Sequence, residues 1–212
     1  LKKCVLVAEK DTVLIKKLIP VNASGYFTDF TAQASNKPFV MIYHRSLQSS
    51  AQSYRNYRSS PAGGSYDVIF ADVQELYEQY AFGINKHPVA IRNFLKHLSD
   101  SLSSKPQFVL LIGKGIKLQN ITAAEQNQNL VPTMGLPSSD HLLSASLNNP
   151  NGHFLVPDIC IGRLAALSNA EVSNYLTKVQ QHEGSAQGDW KKQVLHFIGS
   201  NDDSELNTFS YF

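Results

Sequence analysis

The chain has 212 residues, 42% of them hydrophobic and 10% aromatic but only 17% charged, which excludes a disordered or low-complexity polypeptide. Nineteen Lys and Arg against seventeen Asp and Glu leave a net charge of +2, so no strong field marks the chain for nucleic acid. No run of about 18 apolar residues spans a bilayer, and the two cysteines, Cys4 and Cys160, exclude a multi-bridge disulfide framework and a paired-cysteine zinc site.

Along the chain, Cys4–Val7 and Val13–Ile19 flank the polar Lys10-Asp11-Thr12 and predict a hairpin. Pro20 to Pro38 mixes Asn22, Ser24, Gly25, Ser35 and Asn36 with Tyr26, Phe27 and Phe30; it has no helical period and little strand character. Residues 1–37 therefore read as the end of a preceding β-rich region. From Phe39 onward short runs appear that are apolar on both faces: Phe39–Tyr43, Val68–Phe70, Phe108–Ile112, Ile159–Ile161 and Val194–Ile198. Strands buried on two sides belong to a parallel sheet with helices on both faces, so the expected class is α/β.

Helical patterns separate these runs. Pro88 opens a stripe of Ile91, Phe94, Leu95, Leu98 and Leu102, which line one helical face. Ser168 and Glu171 form a capping box ahead of Val172, Tyr175, Leu176 and Val179, with Gly184 as the stop. Gln48 to Arg58, with Ala51, Tyr54 and Tyr57, predicts a less apolar helix at the margin of the sheet. Lys114 to Pro157 is far longer than an ordinary connection and leaves the carboxyl end of a central strand, where open α/β sheets place their crevices.

A parallel sheet would gather His44-Arg45, Asp72, Gly113-Lys114-Gly115, Arg163 and Ser200-Asn201-Asp202-Asp203 along one edge. The glycine-lysine-glycine turn fails both phosphate-loop templates. Leu118 stands where a dinucleotide fingerprint needs its third glycine, and no Ser or Thr follows a Gly-Lys pair. Cys160 is expected within a buried strand as a small hydrophobe, and His196 as a core imidazole. No Gly-x-Ser-x-Gly elbow or His-Glu-x-x-His helix exists, and the seven histidines are scattered. The chain itself supplies no catalytic set, no metal site and no cofactor site.

Several stretches taken together resemble the gingipain-type cysteine peptidases, relatives of caspases, and especially the sortase-like members of the type IX secretion system. The blocks are Tyr66-Asp67-Val68-Ile69-Phe70-Ala71-Asp72-Val73-Gln74-Glu75-Leu76-Tyr77, Tyr80-Ala81-Phe82-Gly83 and Ala90-Ile91-Arg92-Asn93-Phe94-Leu95. They continue through Phe108 to Gly113, Val131-Pro132-Thr133, Ser139-Asp140, Pro157 to Leu164, Gln181-His182-Glu183 and Trp190 to Gly199, in the family's order. The resemblance covers about residues 38–212.

It implies a caspase-like, mostly parallel α/β fold. Residues 38–188 would form the first, non-catalytic subdomain and 189–212 the truncated start of the catalytic one. The family's catalytic His-Gly and Cys would lie past Phe212; neither Cys4 nor Cys160 matches them, and the piece alone would be inert. The chain also opens on Leu1 and closes at Tyr211-Phe212 where a helix is expected to start, which reads as part of something longer. The implied partners are protein or peptide substrates and the remainder of the peptidase domain, in a secreted or bacterial cell-surface protein; the low charge fraction fits. The alternative is a degenerate, non-catalytic relative that serves as a surface scaffold.

In arginine-specific gingipains an acidic residue after the strand matching Val194–Ile198 receives the substrate's basic side chain. Here the candidates are Asp202, Asp203 and Glu205. A carboxylate matches the guanidinium fork, although an Asn-Asp-Asp-Ser run is equally good capping chemistry for a helix beginning near Glu205. Family members also bind calcium beside the loop after the central strand, with an Asp where this chain has Lys114. An ammonium supplies no oxygen ligand and repels the ion, so no calcium is expected there and Lys114 is expected to pair with Asp158. Asp140 is a possible oxygen ligand elsewhere.

Overall fold

The computed structural model describes residues 7–8, 10, 17–18, 20–34, 36–117, 119, 121–148, 156–186, 188–194 and 202–209. Among these residues four strands form one parallel sheet: β1 (Pro38–Tyr43), β2 (Asp67–Asp72), β3 (Phe108–Ile112) and β4 (Cys160–Leu164), in the order β2-β1-β3-β4. Six α-helices among the described residues accompany them: α1 (Gln48–Ser59), α2 (Val73–Tyr80), α3 (Val89–Ser101), α4 (Ala123–Gln128), α5 (Asn169–Gly184) and α6 (Asp203–Phe209). The hairpin expected at Cys4–Val7 and Val13–Ile19 lies almost wholly outside the described residues, as does the strand at Val194–Ile198 apart from an exposed Val194.

The doubly apolar runs become strands because each alternate residue enters a different core. Val40 and Ile42 of β1 join Ile69, Ala71, Val109 and Leu111 beneath α2 and α3. Met41 and Tyr43 point the other way, with Val68 and Ile112, beneath α1 and α5. Val40, Met41 and Ile42 have no exposed surface; burying each side chain contributes about 1.5–3 kcal/mol, which explains why this strand is central.

The helix stripes behave as periodicity requires. Ile91, Phe94, Leu95 and Leu98 are fully buried on α3, whose N-cap is Pro88. The reciprocal capping box of Ser168 and Glu171 starts α5, and Glu171 also accepts from Leu167 N at 2.7 Å. On α5 only Val172 and Leu176 are buried; Tyr175 stays 43% exposed and stacks on Tyr54 at 6.5 Å.

Two expectations are corrected. Helix α1 is no marginal element: Leu47, Ala51 and Tyr54 share one face and are buried, and Ser50 lets α5 approach closely enough to bond Asn169 O and Ser173. Cys160 is not buried. Among the described residues β4 ends the sheet with β3 on one side, and α5 covers it near Leu164 and not at Cys160 or Gly162, which are both exposed.

Residues 20–34 also lie against this sheet. Phe30 is 2% exposed and meets Phe94 edge-on at 4.9 Å, while Gln33 Oε1 accepts from Phe70 N on the outer edge of β2. That side chain pairs an edge amide that would otherwise be open to another strand.

Candidate functional site

Because all four strands run the same way, their carboxyl ends share one edge. Tyr43 stands opposite Asp72 and Ile112, and Ile112 opposite Leu164. His44, Arg45, Asp72, Gly113, Lys114 and Arg163 therefore converge as the sequence requires. Of Ser200 to Asp203, only Asp202 and Asp203 fall among the described residues; both are exposed where α6 begins, and Asp202 O accepts from Leu206 N. The helix expected near Glu205 thus starts at Asp203, and the side chain of Glu205 lies outside the described residues.

One half of the edge is a cleft of about 680 Å³ between the chain at Pro20–Thr28 and the ends of β1 and β2. Tyr43 and Phe70 stack at 4.1 Å on its wall. Burial, reinforced by the carboxylates of Asp72 and Glu75, pushes the Tyr43 phenol up to about 12, so it stays neutral. Asp72 caps α2 by accepting from Gln74 N at 3.0 Å and pairs with Arg45 Nη2 at 3.0 Å. The ion pair is more than half exposed on the Arg45 side and contributes little to stability.

His44 sits between the two halves, its backbone N–H donating to Ile112 O at 3.2 Å and its Nδ1 2.8 Å from Ser46 Oγ. Burial holds its imidazole below the ordinary 6.5, with Arg45 and Lys86 acting in the same direction and Asp72 against it. The folded state therefore favours the neutral ring. Its contribution to stability is complete above pH 6.5 and is lost as the pH falls from there through the lower folded midpoint. A ring-proton NMR titration is expected to give His44 a midpoint below that of a solvent-exposed imidazole; a midpoint at or above it contradicts this assignment.

The other half is a closed, arginine-centred lock. Gly113 has φ +143°, and a Cβ there would stand 2.9 Å from Val131 Cγ2, so the turn leaving β3 accepts only glycine. Arg163, on β4, passes Nη1 to Gly113 O (2.8 Å) and Val131 O (2.7 Å), and Nη2 to Pro132 O (3.2 Å). Its Nε and Nη2 grip both oxygens of Asp140 at 2.7 Å. Arg92 of α3 does the same further along, donating to the carbonyls of Leu142, Ala145 and Ser146. The described part of the long connection is thus held by two guanidinium groups bonded mostly to main-chain oxygen.

Lys114 departs from expectation: its Nζ donates to Gln128 Oε1 at 2.6 Å, and it forms no pair with Asp158. Asp158 instead accepts the backbone N–H groups of Leu147 (2.5 Å) and Asn148 (3.4 Å). These residues do not fit the calcium that the resemblance implies, since the lysine faces the place and the nearby carboxylates are already engaged. Asp140, a possible oxygen ligand from sequence, is held by Arg163. The described residues hold no cluster of three or more His, Cys, Asp or Glu able to bind a metal. Nor is the turn a phosphate cradle: Lys114 N is spent on Ala166 O, and Lys114 O takes the amides of Leu130 and Val131.

Sequence reasoning missed α2 and α4. Val73, Leu76, Tyr77 and Tyr80 hold helical spacing directly after the cap Asp72, and Thr122 and Glu125 form a full capping box. Both signals were there to be read. The partners of Arg163 carried no such local mark.

The family model of peptidase family C25 matches residues 32–211. Among curated proteins there is no match. Of solved structures, the crystal structure of dimeric latent PorU from Porphyromonas gingivalis is similar, with a TM-score of 0.56 and 15% sequence identity. The likeness covers 79% of this chain and 18% of that one, so the chain spans under a fifth of the length of that structure. At this identity it speaks for the fold, and the caspase-like α/β architecture expected from sequence is borne out.

Proposed function

Because the chain belongs to peptidase family C25, we propose that it forms the amino-terminal part of a gingipain-like cysteine endopeptidase acting on secreted proteins. In this reading it contributes the sheet and one wall of the substrate crevice, while the catalytic His and Cys come from beyond residue 212. The observation that carries it is the family match over residues 32–211. The position of Cys160 supports it, because that thiol opens β4 at the amino edge, opposite His44 and Asp72. In the whole enzyme a thiolate attacks the peptide carbonyl, a His carries the proton to the leaving amine, and N–H groups hold the oxyanion.

Asp202, Asp203 and Glu205 are proposed as the acidic group that receives a basic substrate side chain. The sequence resemblance to the sortase-like members of the type IX secretion system supports a secreted or surface location, with cargo proteins as substrates. No described helix is long and apolar enough to cross a membrane.

The test is hydrolysis of an unfolded protein substrate by the full-length protein, with and without thiol alkylation. The expected result is cleavage abolished by alkylation, and lower kcat/KM for basic over neutral peptides once the three acidic residues become amides. A full-length protein that neither cleaves nor labels with a thiol-directed peptide inhibitor overturns the reading in favour of a scaffold relative.

A further inference from the structure

The cleft over β1 and β2 is roofed by a segment of the chain that one side chain holds down. Residues 22–27 are exposed throughout, including Tyr26 at 80% and Phe27 at 46%, so no apolar burial anchors them. Past them the chain is fixed firmly, by Phe30 in the core and by Gln33 on Phe70 N. Before that anchor, the hydrogen bonds among the described residues that tie the segment to the body of the domain meet at one atom: Asn22 Nδ2 and Thr28 N both donate to Glu75 Oε1, at 2.8 and 2.7 Å. The remaining side-chain bonds of Asn22 stay within the segment, to Tyr26 O and Thr28 Oγ1.

The closed shape is also strained. Asn22, Ala23 and Gly25 all hold left-handed backbone, at φ 51°, 56° and 83°. Asparagine and glycine tolerate that region; alanine meets its own carbonyl there. Closure thus sets a pair of charge-assisted hydrogen bonds against local strain with no buried side chain to help. Under the segment lie Tyr43, Phe70, Arg45, Asp72 and Glu78, all lining the cleft.

We infer that residues 20–28 are a strap that opens and closes over the carboxyl ends of β1 and β2, with Glu75 as its latch. Glu75 is also part of the cleft lining. An amide or basic ligand that pairs with its carboxylate there competes with the closed strap, and such binding is coupled to opening. The inference stands whether or not the whole protein is a peptidase.

Hydrogen exchange read by mass spectrometry on the full chain tests it, comparing wild type with Glu75→Ala, Glu75→Gln and Asn22→Ala. Losing both bonds to a charged acceptor is expected to speed exchange in residues 21–28 at least about tenfold in Glu75→Ala. Exchange in β1, β2 and β3 is expected to stay within about twofold of wild type. Glu75→Gln, which keeps an acceptor oxygen, and Asn22→Ala, which keeps the Thr28 bond, should fall between. Hydroxyl-radical labelling of Tyr43 and Phe70 should rise in Glu75→Ala. Strap exchange unchanged in Glu75→Ala, or a rise shared equally by the three strands, overturns the proposal; the second outcome makes Glu75 a residue of global stability.

Discussion

Replacing Arg163 with methionine is expected to destabilise the domain by about 3 kcal/mol, near the lower end of what breaking a buried ion pair costs, because Asp140 keeps 23% of its side-chain surface. Methionine fills similar volume, so the loss is electrostatic. It strands the Asp140 carboxylate and leaves the carbonyls of Gly113, Val131 and Pro132 without the donors they have now. Equilibrium urea unfolding measures it as a fall in midpoint at unchanged slope. Lysine should recover only part, since a single ammonium cannot reproduce a planar fork that serves a carboxylate and three carbonyls together. Equal stability of the methionine variant and the wild type would mean that apolar packing alone orders the connection from Gly113 to Asp140.

Phe94→Ala is the second large effect, at about 3–5 kcal/mol, the usual cost of truncating a buried phenylalanine. Phe94 has no exposed surface and holds together parts of the chain that are far apart in sequence. Its ring contacts Phe30 at 4.9 Å and Tyr80 at 5.3 Å, joining the segment before β1 to α2 and α3. The loss should appear in global unfolding and, separately, as faster hydrogen exchange around Thr31–Gln33, which Phe30 ties to the core. A cost below about 1 kcal/mol would show that the site collapses around the void and that the ring is not the hub it looks to be.

The strands were legible because each carries its own evidence. Val40, Met41 and Ile42 are apolar in succession, and only a strand buried on both faces needs that. Ser168 with Glu171 marked the start of α5 for the same reason, since a capping box is complete within four residues. The family resemblance was legible because many short blocks stand in one order, although no single block is specific. Cys160 was misread because the apolar run Ile159–Ile161 does not show which of its residues a helix covers; Ile159 is 2% exposed, and the next residue is open to solvent. The pair expected between Lys114 and Asp158 failed because nearer partners existed that a sequence pattern does not rank, namely Gln128 for one and two backbone amides for the other.

The sequence by itself determined the α/β class, four of the strand positions, three principal helices and the kinship with peptidase family C25. All of these rest on periods and caps that fit within a few turns of chain. Only the tertiary structure decided the order β2-β1-β3-β4 of the described strands, that Arg163 locks the connection, and that Glu75 tethers the segment ahead of β1. Those contacts join residues 23, 32, 50 and 53 positions apart. Over such distances side-chain chemistry is unordered until the sheet has assembled, and the closing of long loops, not local preference, chooses the partners.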